Sequence, residues 1–89
     1  MKEKPKQKKG KTGSKTPDSD FVKLGKRMRE LRLKKGFSSY EAFAYENDLS
    51  RVLYGDYEKG KGNITYKNLL KIARALGVSL NEFFSEGFD

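Results

Sequence analysis

Between Ser50 and Lys59 the chain reads SRVLYGDYEK, a stretch whose residue types suit a helix with two separate faces. At about 100° per residue, Leu53, Tyr54 and Tyr57 fall on one side, and Arg51, Val52, Gly55, Asp56 and Lys59 on the other. The first side is built to pack. The second offers a planar cationic donor, a small apolar surface and a carboxylate acceptor, which is recognition chemistry rather than bond-making chemistry. The rest of the sequence agrees. With no histidine and no cysteine, zinc fingers, disulfide scaffolds, haem ligation and Ser-His or Cys-His catalysis lack their parts. A magnesium-dependent nuclease would want clustered carboxylates, but Asp56 and Glu58 diverge on the wheel and no third ligand is evident. The sequence therefore reads as a non-enzyme, with no cofactor, no metal and no small-molecule ligand.

Four further helices are needed to hold that segment, and caps and periodicity outline all of them. Phe21, Leu24, Met28 and Leu31 form an i, i+3, i+7 stripe over about Ser19 to Lys35, closed by Gly36, with Phe37 placed to touch back on Leu31 or Arg32. Ser39 caps a two-turn helix from Tyr40 to about Glu46, and Asn47-Asp48 supplies a turn because both residues tolerate left-handed geometry. Ser50 caps the third helix, with Leu49 and Tyr54 as a hydrophobic staple and Gly60 as its stop. Thr65 opens a fourth helix carrying Tyr66, Leu69, Leu70, Ile72, Ala73 and Leu76, which reads as largely buried up to Gly77. Ser79 to Glu82 has capping-box spacing, and Val78 with Phe83 forms a second staple for a short last helix. No alternating strand pattern competes, so the fold class is all-α.

Charge is unevenly distributed. Net charge is +8, with 36% charged residues, a balance suited to a polyanion, whether nucleic acid or an acidic membrane surface. Seven lysines face two carboxylates over the first nineteen residues, so a local +5 lies there and only +3 on residues 20 to 89. Lacking any large apolar residue after Met1, residues 1–18 read as a flexible, disordered basic tail and residues 19–89 as the single folded domain. In the first helix, Lys23, Lys26, Arg27, Arg29, Arg32, Lys34 and Lys35 read mostly as a solvated face, with one or two near its end able to reach phosphate. Apolar runs of three residues or fewer argue against a membrane span or signal core, and the expected location is cytoplasmic, on the bacterial nucleoid. Five tyrosines and six phenylalanines invite a single-strand stacking role, but most fall on core faces.

A short helix, a tight turn and a second helix with an exposed polar face is the helix-turn-helix geometry, although any small bundle shows surface faces of this kind. Sequence likeness supplies independent support. LGKRMRELRLKKGFSS and FAYENDLSRVLYGDYEKGKGNITYKNLLKIARALGVSLNEFF, with the distance between them, resemble the phage-repressor (Cro/Xre) helix-turn-helix family from Leu24 through Phe84. The resemblance implies a five-helix, lambda-repressor-like domain whose third helix enters the major groove of double-stranded DNA. It puts Arg51, Val52, Gly55 and Asp56 toward bases, and Ser39, Tyr40, Ser50, Lys59 and Lys61 toward the DNA backbone. On that placement Arg51 would donate twice to guanine O6 and N7, Val52 would pack on a thymine methyl, and Asp56 would accept from cytosine N4. An intramolecular pair of Asp56 with Arg51 or Lys59 is an equally good reading.

This sequence departs from the family in three places. One residue is inserted between Gly36 and Phe43, with a tyrosine at position 40 where glutamine is frequent; Asn47-Asp48 replaces the usual apolar residue and glycine; and Asp56 brings negative charge to the face expected to meet DNA. The implied function is a sequence-specific transcriptional regulator, most simply a repressor. The alternative is an antitoxin-like or phage-encoded module that uses the fold mainly to hold a partner protein. Phe83, Phe84 and Phe88 either seal the last helix or form a two-fold surface, and the latter would make a homodimer that spaces two third helices about 34 Å apart on a palindromic site. The lysine-rich arm is expected to add non-specific DNA affinity. Deleting residues 1 to 17 should then flatten the slope of log affinity against log salt, and an unchanged slope would reject the arm.

Overall fold

The computed structural model describes residues 19–88; the lysine-rich segment 1–18, expected as a flexible tail, lies outside the described residues. The order is α1 (Ser19–Lys34), α2 (Tyr40–Glu46), α3 (Arg51–Glu58), α4 (Tyr66–Leu76) and α5 (Leu80–Phe83). Each of α2 to α5 starts on the residue that the sequence marks. The hydroxyls of Ser39, Ser50, Thr65 and Ser79 accept from the amides of Ala42, Leu53, Asn68 and Glu82 at 3.1 to 3.2 Å. Such a cap contributes about 1 kcal/mol, a large share of what a two-turn helix needs. Only half of the expected capping box at α5 forms, because the Glu82 side chain makes no return bond to Ser79 among the described residues.

The turn between α2 and α3 sets the angle at which the third helix leaves. Asp48 takes φ of 58° there, Asp48 N–H donates to Tyr45 O, and Leu49 N–H donates to Ala44 O at 2.8 Å. This is the double bond of a Schellman ending, with aspartate in the left-handed position that glycine usually fills. Asn47 Nδ2 adds a bond to Phe43 O at 2.9 Å. The family-unlike Asn47-Asp48 pair thus builds the turn that glycine would build.

The core collects residues from every helix: Met28 and Leu31 of α1, Phe43 and Ala44 of α2, Tyr54 and Tyr57 of α3, Leu69, Ile72 and Leu76 of α4, and Phe83 of α5. Fully burying each large apolar side chain contributes about 1.5–3 kcal/mol, so the ring cluster of Phe37, Phe43 and Tyr54, with centroids 5.1 to 5.3 Å apart, anchors α2 onto α3. Two positions depart from the expected faces. Leu53 is 50% exposed, because it lies at the rim of a depression toward α4 that the described residues do not fill, and Tyr66 is exposed at the open start of α4.

Two arginines expected on a solvated face are buried instead. Arg27 and Arg32 retain 3% and 4% of their accessible surface. Arg27 Nε donates to Phe83 O at 2.7 Å and Nη2 to Glu82 O at 2.8 Å, so it satisfies carbonyls at the end of α5. Arg32 grips Glu58 with both arms, Nε to Oε2 at 2.7 Å and Nη2 to Oε1 at 3.1 Å, while Nη1 donates to Phe37 O at 2.8 Å. Removing one partner from such a buried pair costs about 3–5 kcal/mol, because the other charge is left without compensation. Nearby, Gly25 of α1 packs against the last turn of α3, where a Cβ would collide with the Glu58 carbonyl oxygen.

Tyr54 completes this cluster. Its hydroxyl is buried without a hydrogen-bond partner among the described residues. Burial first, then the nearby Glu58 carboxylate, push its phenol far above the ordinary value of 10.0, against the opposing pull of Arg32. Hydrogen bonding to Glu58 also raises the pKa of Arg32.

Two outcomes follow for stability. Arg32→Ala should lower the free energy of urea unfolding by about 3–5 kcal/mol, and Arg32→Met combined with Glu58→Leu should recover most of it. For both Tyr54 and Arg32 the folded pKa is raised, so their contribution is fully present below the unfolded values and is lost as pH rises. Tyr54 acts first, from about pH 10. Tyr54→Phe, which also removes an unpartnered polar group, should stabilise the protein by about 1 kcal/mol at neutral pH and flatten the alkaline decline of urea midpoints. A steeper decline in the phenylalanine variant would contradict this account.

Candidate nucleic-acid interface

The outer face of α3 begins at a helix N-terminus with no acidic residue in its first turn. Ser50 caps it and Arg51 is its first residue, so the positive end of the helix dipole and a guanidinium coincide there. Arg51 is exposed, Val52 is 75% exposed, Asp56 is half-buried and Lys59 is exposed. These four therefore share the wet flank that the wheel assigns to them.

Among the described residues the Asp56 carboxylate has no intramolecular partner. It pairs there with neither Arg51 nor Lys59, while the Asp56 backbone carbonyl accepts from Lys59 N–H at 3.1 Å and Lys61 N–H at 2.8 Å. Glu58, the other carboxylate of α3, is turned inward onto Arg32. Among the described residues no group of three or more Asp, Glu, His or Cys could hold a metal ion.

Gly55 is a correction. The wheel puts it outward, but the structure buries it beneath the ring of Tyr40 from α2, and a Cβ at this position would sit 2.6 Å from a ring carbon. Helical periodicity gives a direction and not the neighbour that lies along it. Tyr40 itself is half-buried, and the Lys59 ammonium lies 5.9 Å from its ring centroid. Tyr40, Glu41, Arg51 and Val52 line one shallow depression between the starts of α2 and α3.

The two capping serines border this region. Ser39 and Ser50 each use a lone pair for a helix amide; the Ser39 hydroxyl makes a long 3.5 Å contact to Glu41, whereas that of Ser50 donates to nothing among the described residues. Lys61 follows Gly60 in an exposed loop. Leu53, expected in the core, is the exposed residue that sequence reasoning missed on this side; it stands between Val52 and a second depression shared with Leu49, Ser50, Asn68 and Lys71.

At the far end, Phe83 is fully buried and cannot belong to an intermolecular surface, so that assignment is corrected. It is held by the core and by the Arg27 bond to its carbonyl. Phe84 is 43% exposed and Phe88 half-buried, with their rings 4.8 Å apart. No helix among the described residues is long and apolar enough to cross a membrane.

Comparison with known proteins gives one consistent result. The family model described as "Helix-turn-helix" matches residues 28–83. Control protein C.MunI from a Mycoplasma species is 40% identical over 65 residues, covering 73% of this chain and 88% of its own length. Among solved structures, the restriction-modification controller protein C.AhdI from Aeromonas hydrophila superposes with a TM-score of 0.68 at 42% identity, over 75% of this chain and 100% of that one. The controller protein C.Esp1396I, solved as a tetramer in complex with its natural 35 base-pair operator, gives 0.65 at 32% identity, over 73% and 84%. On the match of the family model and of these relatives, with a five-helix fold that keeps the polar flank of α3 open, the chain belongs to the Cro/Xre-type helix-turn-helix family and is a sequence-specific DNA-binding regulator of transcription.

Proposed function

We propose that this regulator is the controller protein of a restriction-modification gene cluster, binding a palindromic operator as a homodimer with one α3 in each of two successive major grooves. The single observation that carries the reading is the open flank of α3: Arg51, Val52 and Asp56 lie together at the surface, and the carboxylate has no partner among the described residues. An unpaired anion on a face that meets a polyanion is repelled unless the ligand supplies a donor, and cytosine N4 is such a donor. Arg51 then reads guanine and Val52 a thymine methyl, while Ser39, Tyr40, Ser50, Lys59 and Lys61 face the sugar-phosphate backbone. The neighbouring Phe84 and Phe88 rings form the apolar centre of the two-fold contact. The likeness to control protein C.MunI and to the restriction-modification controller C.AhdI, and the operator-bound tetramer of C.Esp1396I, support the same assignment. Its place of action is the cytoplasm, on the nucleoid.

The test is selection of bound sites from random duplex DNA with the full chain at low salt. An inverted repeat with half-sites about 10 base pairs apart, centre to centre, is the expected outcome. Arg51→Ala should relax the preference at one position of each half-site and weaken binding there by about 1–3 kcal/mol. Asp56→Asn should change the base chosen at another position, with little loss of overall affinity. Sedimentation at micromolar protein with the selected duplex should give two chains per site. No enrichment, or an obligate monomer on DNA, would overturn the proposal and favour a protein-interaction role for the fold.

A further inference from the structure

The recognition stripe of α3 has a gap. Val52, Gly55 and Lys59 follow one another along the helix at i, i+3 and i+7, and the middle residue has no side chain. The space is filled from another element. The Tyr40 ring of α2 lies on Gly55 so closely that a Cβ would come within 2.6 Å of one ring carbon and 3.0 Å of a second. Half-buried, Tyr40 also lines the depression beside Arg51 and Val52, so it reaches the surface next to the outer flank of α3.

Lys59 shows what the ring does. The residue sits three positions after Asp56, a spacing at which opposite charges on a helix commonly pair. It forms no ion pair with Asp56 among the described residues; its ammonium stands 5.9 Å from the Tyr40 centroid, within range of a cation–π attraction. Its backbone is fixed as well, since Lys59 N–H donates to Gly55 O at 3.2 Å and Asp56 O at 3.1 Å. A long, freely rotating side chain at a helix end would lose rotamer entropy on gripping a phosphate, and an aromatic face beside it reduces that loss.

We propose that Tyr40 is a positioning residue: seated on Gly55, it supplies from α2 the side chain that α3 lacks and holds the Lys59 ammonium toward the DNA backbone. The inference rests on α3 being the DNA-reading helix. It accounts together for three otherwise separate features of the sequence, a tyrosine at position 40, a glycine inside a short helix and a lysine at its end. Glycine in a helix interior costs roughly 1 kcal/mol relative to alanine, and the ring contact gives the reason it is kept.

The experiment measures binding of the full chain to its own selected duplex across a salt series, with thermal melting as the folding control. Tyr40→Ala and Tyr40→Leu should each weaken binding about fivefold and make the log-log salt slope shallower by about one phosphate contact. The leucine variant fills the space without an aromatic face and so separates packing from positioning. Tyr40→Phe should restore both affinity and slope. The double variant, Tyr40→Leu with Lys59→Ala, should lose in total much less than the two single losses combined. Gly55→Ala should displace the ring and reproduce the shallower slope, and Gly55→Ala with Tyr40→Ala should recover melting temperature but not slope. Additive losses for positions 40 and 59, an unchanged slope in Tyr40→Leu, or a phenylalanine variant as weak as the alanine one would each overturn the proposal. Failure of the wild-type chain to bind any duplex would instead remove the DNA-reading assignment on which it stands.

Discussion

The bidentate bond between Arg32 and Glu58 is the constraint on which the rest depends. It joins α1 to the last turn of α3 through a side chain that also accepts no alternative geometry, since the third arm of the guanidinium is committed to Phe37 O. Charge-assisted bonds of this kind are roughly twice as strong as neutral ones, and a planar fork fixes orientation as well as distance. Gly25 lets the two helices approach until backbone meets backbone, and Tyr57 receives a bond from Asn68 Nδ2 at 3.1 Å on the α4 side. The inner flank of α3 is thereby held at its C-terminal end by two different helices, while Arg51, Val52 and Leu53 of its N-terminal turn stay exposed among the described residues.

A helix of eight residues would not persist alone, because the nucleating turn is too costly for so few bonds to offset. Its order is borrowed from its surroundings. Ser50 closes one end, Gly60 at φ of 80° closes the other, and Tyr54 and Tyr57 bury the flank between them. Two turns suffice to present one guanidinium, one isopropyl group and one carboxylate on the outer flank.

Much of this was legible in the residues, and what was not has a common cause. Caps are local signals, so Ser39, Ser50, Thr65 and Ser79 mark helix starts from sequence alone, and Gly36, Gly60 and Gly77 mark the ends. The burial of Arg27 and Arg32 was not legible, because each is satisfied by groups far along the chain: Arg32 by Glu58, 26 residues away, and Arg27 by the Phe83 carbonyl, 56 residues away. The available clue was position. Arg27 lies three residues after Leu24, and Arg32 four after Met28, at the margins of the apolar stripe, where a long cationic side chain can turn inward if an acceptor waits there. Gly55 and Leu53 depart for the complementary reason: wheel angle predicts facing, while exposure depends on which helix occupies the space, and α2 lies closely over Gly55 whereas α4 leaves half of Leu53 open among the described residues. Phe83 fits core or surface by spacing alone, and the fold of the end of α5 onto Arg27 of α1 puts it in the core.

Arg27 ties the end of α5 to the same helix that Arg32 ties to α3, five residues along. A single strut therefore connects the region of Phe84 and Phe88 to the root of the reading helix, with both joints made inside one folded chain. The distance and angle between those two regions are set when the polypeptide folds and not when a ligand arrives. The surface around Phe84 and Phe88 and the root of α3 therefore share one frame, and shifting either against the other would strain a guanidinium joint.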